Sequence, residues 1–291
     1  MAKKKDTKKE TEKGIKKVIE QLKKYDETKE IDEDGKTTSR MMDTLVSIGK
    51  SAVPSLIELL NNPDTWMSCF FAADALGEIE DERAIGPLAD ALEAPELGEN
   101  AYRALKKFGP VCIPDVIKKI EHRIANPINT ESAIDLTTTH ALSVIGETKC
   151  EKSIKFLNKL LEDYVSEMPD EAFDPTKREW KYRNIDFFHL LDCMVRQQDK
   201  SAIPHIRKAR DFFPENYTDY LICQIAIGRI KKGKVEGHLP MEAMEISMPS
   251  GRIMDALSGG QYGWEDTFDE DYGEYFDDEE KGKTDGPDPH S

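Results

Sequence analysis

The chain has little of what would cross-link it, anchor it in a membrane or run a recognisable reaction. Its five cysteines, Cys69, Cys112, Cys150, Cys193 and Cys223, are odd in number and form no C-x-x-C pair. That spacing excludes a disulfide framework and implies a reducing compartment. No stretch approaches the roughly 18 consecutive apolar residues of a membrane span. The N-terminus, MAKKKDTKKETEK, has no apolar core of the kind a signal peptide carries. The expectation is a soluble, cytoplasmic protein with no membrane partner. There is no G-x-x-x-x-G-K, G-x-G-x-x-G or G-x-S-x-G, and none of the six histidines pairs at H-x-x-x-H spacing. No catalytic residue, cofactor or metal ligand is therefore assigned.

What the chain does have is charge, unevenly spread. The formal net charge is −16, and 34% of residues are charged. Residues 264–291 hold twelve Asp or Glu against two Lys, a net of −10, while residues 1–39 hold twelve Lys against ten Asp or Glu, a net of +2. The remainder carries −8. A mildly acidic body argues against a general nucleic-acid binder. The sequence divides into a lysine-rich segment with a short amphipathic helix (1–39), a repeat region (40–230), an irregular extension with several methionines (231–263) and an acidic aromatic tail (264–291).

The repeat region follows from spacing. Leu45, Leu76, Leu105, Leu142 and Leu191 align as one position of successive helices, and an apolar residue follows three later at Ile48, Ile79, Phe108, Ile145 and Met194. Glycine lies near each corner at Gly49, Gly77, Gly109 and Gly146. The next helices open on Val53-Pro54, Ile85-Gly86-Pro87, Ile113-Pro114 and Ile203-Pro204, with Ser153-Ile154 in the fourth. Proline in a first helical turn costs nothing, because its missing N–H has no partner there anyway. The steps between leucines are 31, 29, 37 and 49 residues. A period near thirty that contains two helical patterns is the signature of stacked hairpins. The fold class is all-α: an α-solenoid of about five to six hairpins with flexible charged termini.

One stretch resembles a known family. Ala75-Leu76-Gly77-Glu78-Ile79-Glu80-Asp81-Glu82-Arg83-Ala84 is similar to the HEAT-like repeat named for phycobilisome lyases, whose signature runs Ala-Leu-Gly-x-Ile-Gly-Asp-x-Arg-Ala-x-x-x-Leu. It departs at Glu80, where the family usually has glycine. The resemblance extends, weakening after Gly146, over residues 40–215. Tetratricopeptide repeats are the rival, but their proline closes the second helix, whereas here it opens it. HEAT-like deoxyhypusine hydroxylases build a di-iron site from His-Glu pairs, and this sequence has no His-Glu dipeptide.

Within that frame, two features are candidates for binding. In HEAT-like stacks the second helices line the concave face. Here the later ones carry Lys118, Lys119, Lys155, Lys159, Arg207 and Lys208, diluted by Asp115, Glu121, Glu162 and Asp211. Side by side they make a basic stripe, weighed against an ordinary solvated face. In the tail, Trp264, Phe268, Tyr272 and Phe276 recur every four residues, with Tyr275 beside the last. An acidic segment with aromatic anchors folds on docking to a basic groove, or else simply solubilises. Met241, Met244, Met248 and Met254 are adaptable apolar groups suited to lie across another surface. Cys150, near Lys149 and Lys152, is the thiol with cationic neighbours. His189, in an apolar run, reads as a hydrogen-bonded core histidine.

The function that these residues imply is a non-catalytic interaction scaffold. It would bind a protein partner on its concave face, with the tail as a docking or self-occluding element. Two alternatives stand beside it: a nucleic-acid module using the basic stripe, as HEAT-like DNA glycosylases do, and a lyase-like enzyme or enzyme partner, as the resemblance implies.

Overall fold

A computed structural model describes residues 2–28, 36–62, 66–128, 135–168, 181–213 and 218–233. Among these residues it contains twelve α-helices and no strand, an all-α helical repeat. The chain divides into two compact units, Met1–Thr148 and Lys149–Ser291. The division falls inside the repeat region, in the corner of the fourth hairpin.

The first unit holds α1 (Ala2–Thr28), α2 (Lys36–Ile48), α3 (Val53–Leu60), α4 (Trp66–Ile79), α5 (Ile85–Ala91), α6 (Gly98–Phe108), α7 (Ile113–Ala125) and α8 (Leu136–Glu147). Even-numbered helices α2, α4, α6 and α8 pack on one another in sequence, as do α3, α5 and α7. Cross-packing of α3 on α4, α5 on α6 and α7 on α8 closes the two layers around one core. Leu45, Leu76, Leu105 and Leu142 form its spine, each with no exposed surface. Burying a leucine side chain contributes about 2–3 kcal/mol, so the ladder alone explains why the hairpins stack.

The helix at the N-terminus is long rather than short, and it is backbone-helical through the lysine-rich stretch from Ala2. Ala, Lys, Glu and Gln are good helix formers, so a helix nucleated on the buried Ile15, Ile19 and Leu22 extends into polar sequence. The Leu22 carbonyl accepts a hydrogen bond from the Ser68 hydroxyl on α4 at 3.0 Å, which seats α1 on the stack. The next helix, α2, begins at Lys36, inside the segment divided off above as residues 1–39.

The corners explain the repeat motif. Four residues after Leu45, Leu76 and Leu105 the chain turns through a left-handed residue: Gly49 (φ +67°), Glu80 (φ +52°) and Gly109 (φ +60°). Glu80, the departure from the family pattern, therefore stands in a conformation that favours glycine. Gly77 has a different task. A Cβ there would sit 2.8 Å from the Cα of Ala104, so this glycine lets α6 approach α4 closely. After the corner, the Asp81 carboxylate accepts from the Arg83 backbone N–H at 3.1 Å. The Arg83 guanidinium donates to Asp81 at 2.7 and 3.1 Å and to the Lys50 carbonyl of the preceding corner at 2.8 Å. The motif's Asp-x-Arg thus ties one corner to the next.

The second unit contains α9 (Glu151–Ser166), α10 (Phe187–Gln197), α11 (Ala202–Phe212) and α12 (Thr218–Lys232). Its layering is the same: α9 packs on α11 and α10 on α12, with α9 against α10 and α11 against α12. The corner after α10 shifts the sequence alignment by one turn. Gln198 is left-handed (φ +49°), and the Asp199 carboxylate accepts from the Ser201 backbone N–H at 2.8 Å just before the next helix. Met194, four residues before Gln198, is therefore the counterpart of Leu76; Leu191 lies one turn earlier, and both are buried.

Replacing Glu80 by glycine is expected to raise the urea midpoint of the first unit, by roughly 0.5–1 kcal/mol for relief of the left-handed backbone. Gly77→Ala is expected to lower it by roughly 1–3 kcal/mol through overpacking against Ala104. Equal midpoints for both variants would contradict these assignments.

Candidate interaction surfaces

The six cations of the expected stripe all lie on second-layer helices: Lys118 and Lys119 on α7, Lys155 and Lys159 on α9, Arg207 and Lys208 on α11. Their surroundings differ. Lys118 pairs with Asp115 at 2.8 Å on its own helix. Lys119 is mostly covered and bridges Asp90 on α5 and Glu93 at 3.2 Å, which raise its pKa against the cost of burial. These two lysines fasten α7 to α5 and to itself.

In the second unit the picture changes. Lys155 pairs with Glu151, an exposed contact worth little in solvent. Among the described residues no carboxylate pairs with Lys159. Neither does one pair with Lys152, which the stripe did not include. Lys152, Lys155 and Lys159 are all exposed and fall at i, i+3 and i+7, so they share one face of α9. Glu162, at i+7 from Lys155, continues that face and lies 3.0 Å from the His205 imidazole of α11. Lys208 is exposed and three residues past His205, on the same side of α11; Arg207 is half-buried. Lys152, Lys155 and Lys159 thus share one face of α9, and Lys208 stands exposed on α11, which packs on α9. Helical spacing within α9 was the signal that could have found Lys152.

Cys150 opens this face. It is the N-cap of α9, and its sulfur lies 3.4 Å from the Ser153 backbone N and 3.1 Å from the Ser153 hydroxyl. It holds the capping place that Asp81 takes earlier. None of the five cysteines is in a disulfide, and Cys112, Cys193 and Cys223 are buried. His189 is half-buried, with its Nε2 3.8 Å from the Cys193 sulfur.

A second surface is a groove of about 500 Å³ across α2, α4 and α6. Met42, Val46 and Ala104 supply apolar lining, and Asp43, Asp74, Glu78, Arg103 and Lys107 supply the rest. Much of that charge is already committed: Lys107 pairs with Glu78, and Asp74 accepts from the Asn100 amide at 3.2 Å. Among the described residues no three His, Cys, Asp or Glu side chains converge as metal ligands would. No described helix is long and apolar enough to cross a membrane.

Residues 70–94 match the family model of the PBS lyase HEAT-like repeat. The match begins inside α4 and runs through the Glu80–Arg83 corner and α5, so it covers the clamp described above. It is a likeness of one repeat, which fits the stacked hairpins and assigns no activity. No curated protein matches the chain. The tail aromatics Trp264, Phe268, Tyr272, Tyr275 and Phe276 lie outside the described residues, as do Met241, Met244, Met248 and Met254.

In the second unit, two carboxylates, Asp186 and Asp219, stand near enough to interact. Asp186 caps α10, accepting from the His189 N–H at 3.0 Å. Asp219 sits in the first turn of α12, which packs on α10. Burial, reinforced by the charge of Asp186, raises the Asp219 carboxyl to about 6. Burial and these same two carboxylates push the Tyr164 phenol upward. A carboxyl whose folded pKa exceeds its ordinary value of 3.8 binds its proton more tightly in the folded state, so stability falls as pH rises from about 4 to about 6. Asp219→Asn is expected to stabilise the second unit at pH 7 by up to about 3 kcal/mol. That gap should close near pH 4; a gap independent of pH in thermal unfolding would contradict the assignment.

Proposed function

We propose that this protein is a non-catalytic, cytoplasmic interaction scaffold that holds an acidic protein segment against the lysine face of α9 and α11. The observation that supports this reading is the row Lys152, Lys155 and Lys159, exposed on one helix face with Lys208 on the adjoining helix. A row of ammonium groups attracts a complementary run of carboxylates, speeds encounter and fixes register. Ion pairs alone are screened at physiological salt, so apolar anchors must add affinity. An acidic segment with interleaved aromatics meets both demands. Residues 264–291 of this chain, with aromatics at 264, 268, 272 and 276, have that composition. They are the first occupant to test, in cis as a self-occluding element or as a model of a partner's segment.

Duplex nucleic acid would meet the same cations. The net charge of −16 opposes it, since long-range repulsion acts on a polyanion from the whole molecule.

A fluorescent peptide of residues 264–291 is expected to bind a chain ending at Gly263 more tightly than the full chain, in a salt-sensitive manner. Lys152→Glu, Lys155→Glu and Lys159→Glu together should weaken it at least tenfold. Unchanged anisotropy in the triple variant would reject the lysine face. Tighter binding of duplex DNA than of peptide, lost in the same variant, would transfer the face to the nucleic-acid reading.

A further inference from the structure

The groove across α2, α4 and α6 plays no part in the function proposed above. It lies wholly in the first unit, and each of its helices contributes a pair four residues apart. These are Met42 and Val46 from α2, Asp74 and Glu78 from α4, and Arg103 and Lys107 from α6. Residues four apart stand on one face of a helix, and α4 packs on both α2 and α6. An apolar, an acidic and a basic row therefore lie side by side, with Asp43 next to the apolar one.

Part of this charge is spent and part is not. Glu78 and Lys107 pair with each other. Asp74 accepts a hydrogen bond from the Asn100 amide, a neutral donor, at 3.2 Å. Among the described residues no cation pairs with Asp74 or with Asp43. Arg103 stands 3.8 Å from Glu99 on its own helix, and both side chains are more than half exposed, a contact worth little in solvent. The groove thus offers two carboxylates that lack a cation, a loosely held guanidinium across from them, and the half-buried Met42 and Val46 beside them.

We infer that this groove binds a segment of another protein through one arginine, whose stem lies on Met42 and Val46 and whose guanidinium bridges Asp43 and Asp74. Charge complementarity selects the cation, and the two helices select arginine over lysine. A planar fork of five donors serves two carboxylates at once, and a guanidinium sheds water more readily than an ammonium. Its methylene stem covers apolar surface while the head stays with the carboxylates. Arg103 adds a second requirement, an acidic residue two places along the same segment. An extended chain advances about 3.3 Å per residue, so two residues span roughly the 8–10 Å between neighbouring helix axes. The occupant is therefore an Arg-x-Glu or Arg-x-Asp segment without net charge, not a polycation drawn in by an acidic protein. The proposal does not rest on the lysine face.

Titration of the isotope-labelled full chain with acetyl-Ala-Arg-Ala-Glu-Ala-amide, read by amide NMR shifts, tests it. The peptide carries no net charge, so the overall acidity of the protein does not attract it. Saturable shifts are expected at residues 42–46, 74–78 and 103–107. Citrulline in place of the peptide's arginine keeps the shape without the charge and should weaken binding at least fivefold. Asp43→Asn/Asp74→Asn should weaken the arginine peptide to a similar degree; asparagine still accepts from the Asn100 amide, so an unchanged Tm is expected. No saturable shift at these residues, or equal affinity for the arginine and citrulline peptides, would overturn the inference. Unweakened binding in the double variant would overturn it as well.

Discussion

A helical hairpin of this length cannot bury its own apolar face, and every other feature of the structure answers to that constraint. Leu45, Leu76, Leu105 and Leu142 lose all exposure only because each lies between the helices of neighbouring hairpins. Stability therefore resides in the interfaces, and it is approximately a sum over them. The corners set the geometry of each interface. Left-handed residues at Gly49, Glu80 and Gly109 fix where the chain reverses. The Asp81–Arg83 pair, reaching back to the Lys50 carbonyl, ties one reversal to its predecessor. Burial of Asp81 is offset by the Arg83 guanidinium, which donates to it and holds its carboxyl below the ordinary aspartate range.

Outward surfaces are what such a stack leaves free. In the first unit, Lys119 and Lys107 are used between helices, so the second-layer and first-layer faces are largely self-neutralised. In the second unit, α9 carries three lysines on one face and commits only Lys155 to a nearby carboxylate. The last 28 residues of the chain hold twelve acidic residues, the composition proposed above for the occupant of this surface.

Much of this was legible in the sequence, and the exceptions have physical causes. The leucine period and the prolines at second-helix starts identified the hairpins, because burial and the first-turn tolerance for proline are local rules. The glycines near the corners have different tasks, a left-handed turn at Gly49 and Gly109 and a close helix approach at Gly77, and only coordinates separate the two. Leu191 was aligned in place of Met194 because both are apolar and one helical turn apart. For the basic stripe, sequence could not tell that Lys118 and Lys119 are consumed by Asp115, Asp90 and Glu93, contacts set by tertiary packing. Lys152 was passed over as a neighbour of Cys150, although its spacing to Lys155 and Lys159 was already visible. The raised pKa of Asp219 depends on burial beneath α10, which no residue near it announces.

Zero-length carbodiimide coupling of the full chain, read by mass spectrometry, addresses the lysine face most directly, because it joins an ammonium to a carboxylate only where they touch. The account predicts couplings from Lys152, Lys155 or Lys159 to carboxylates between Glu265 and Glu280, suppressed at high salt. Coupling of these lysines to nothing beyond Glu151 would contradict it as an acidic-segment site occupied in cis.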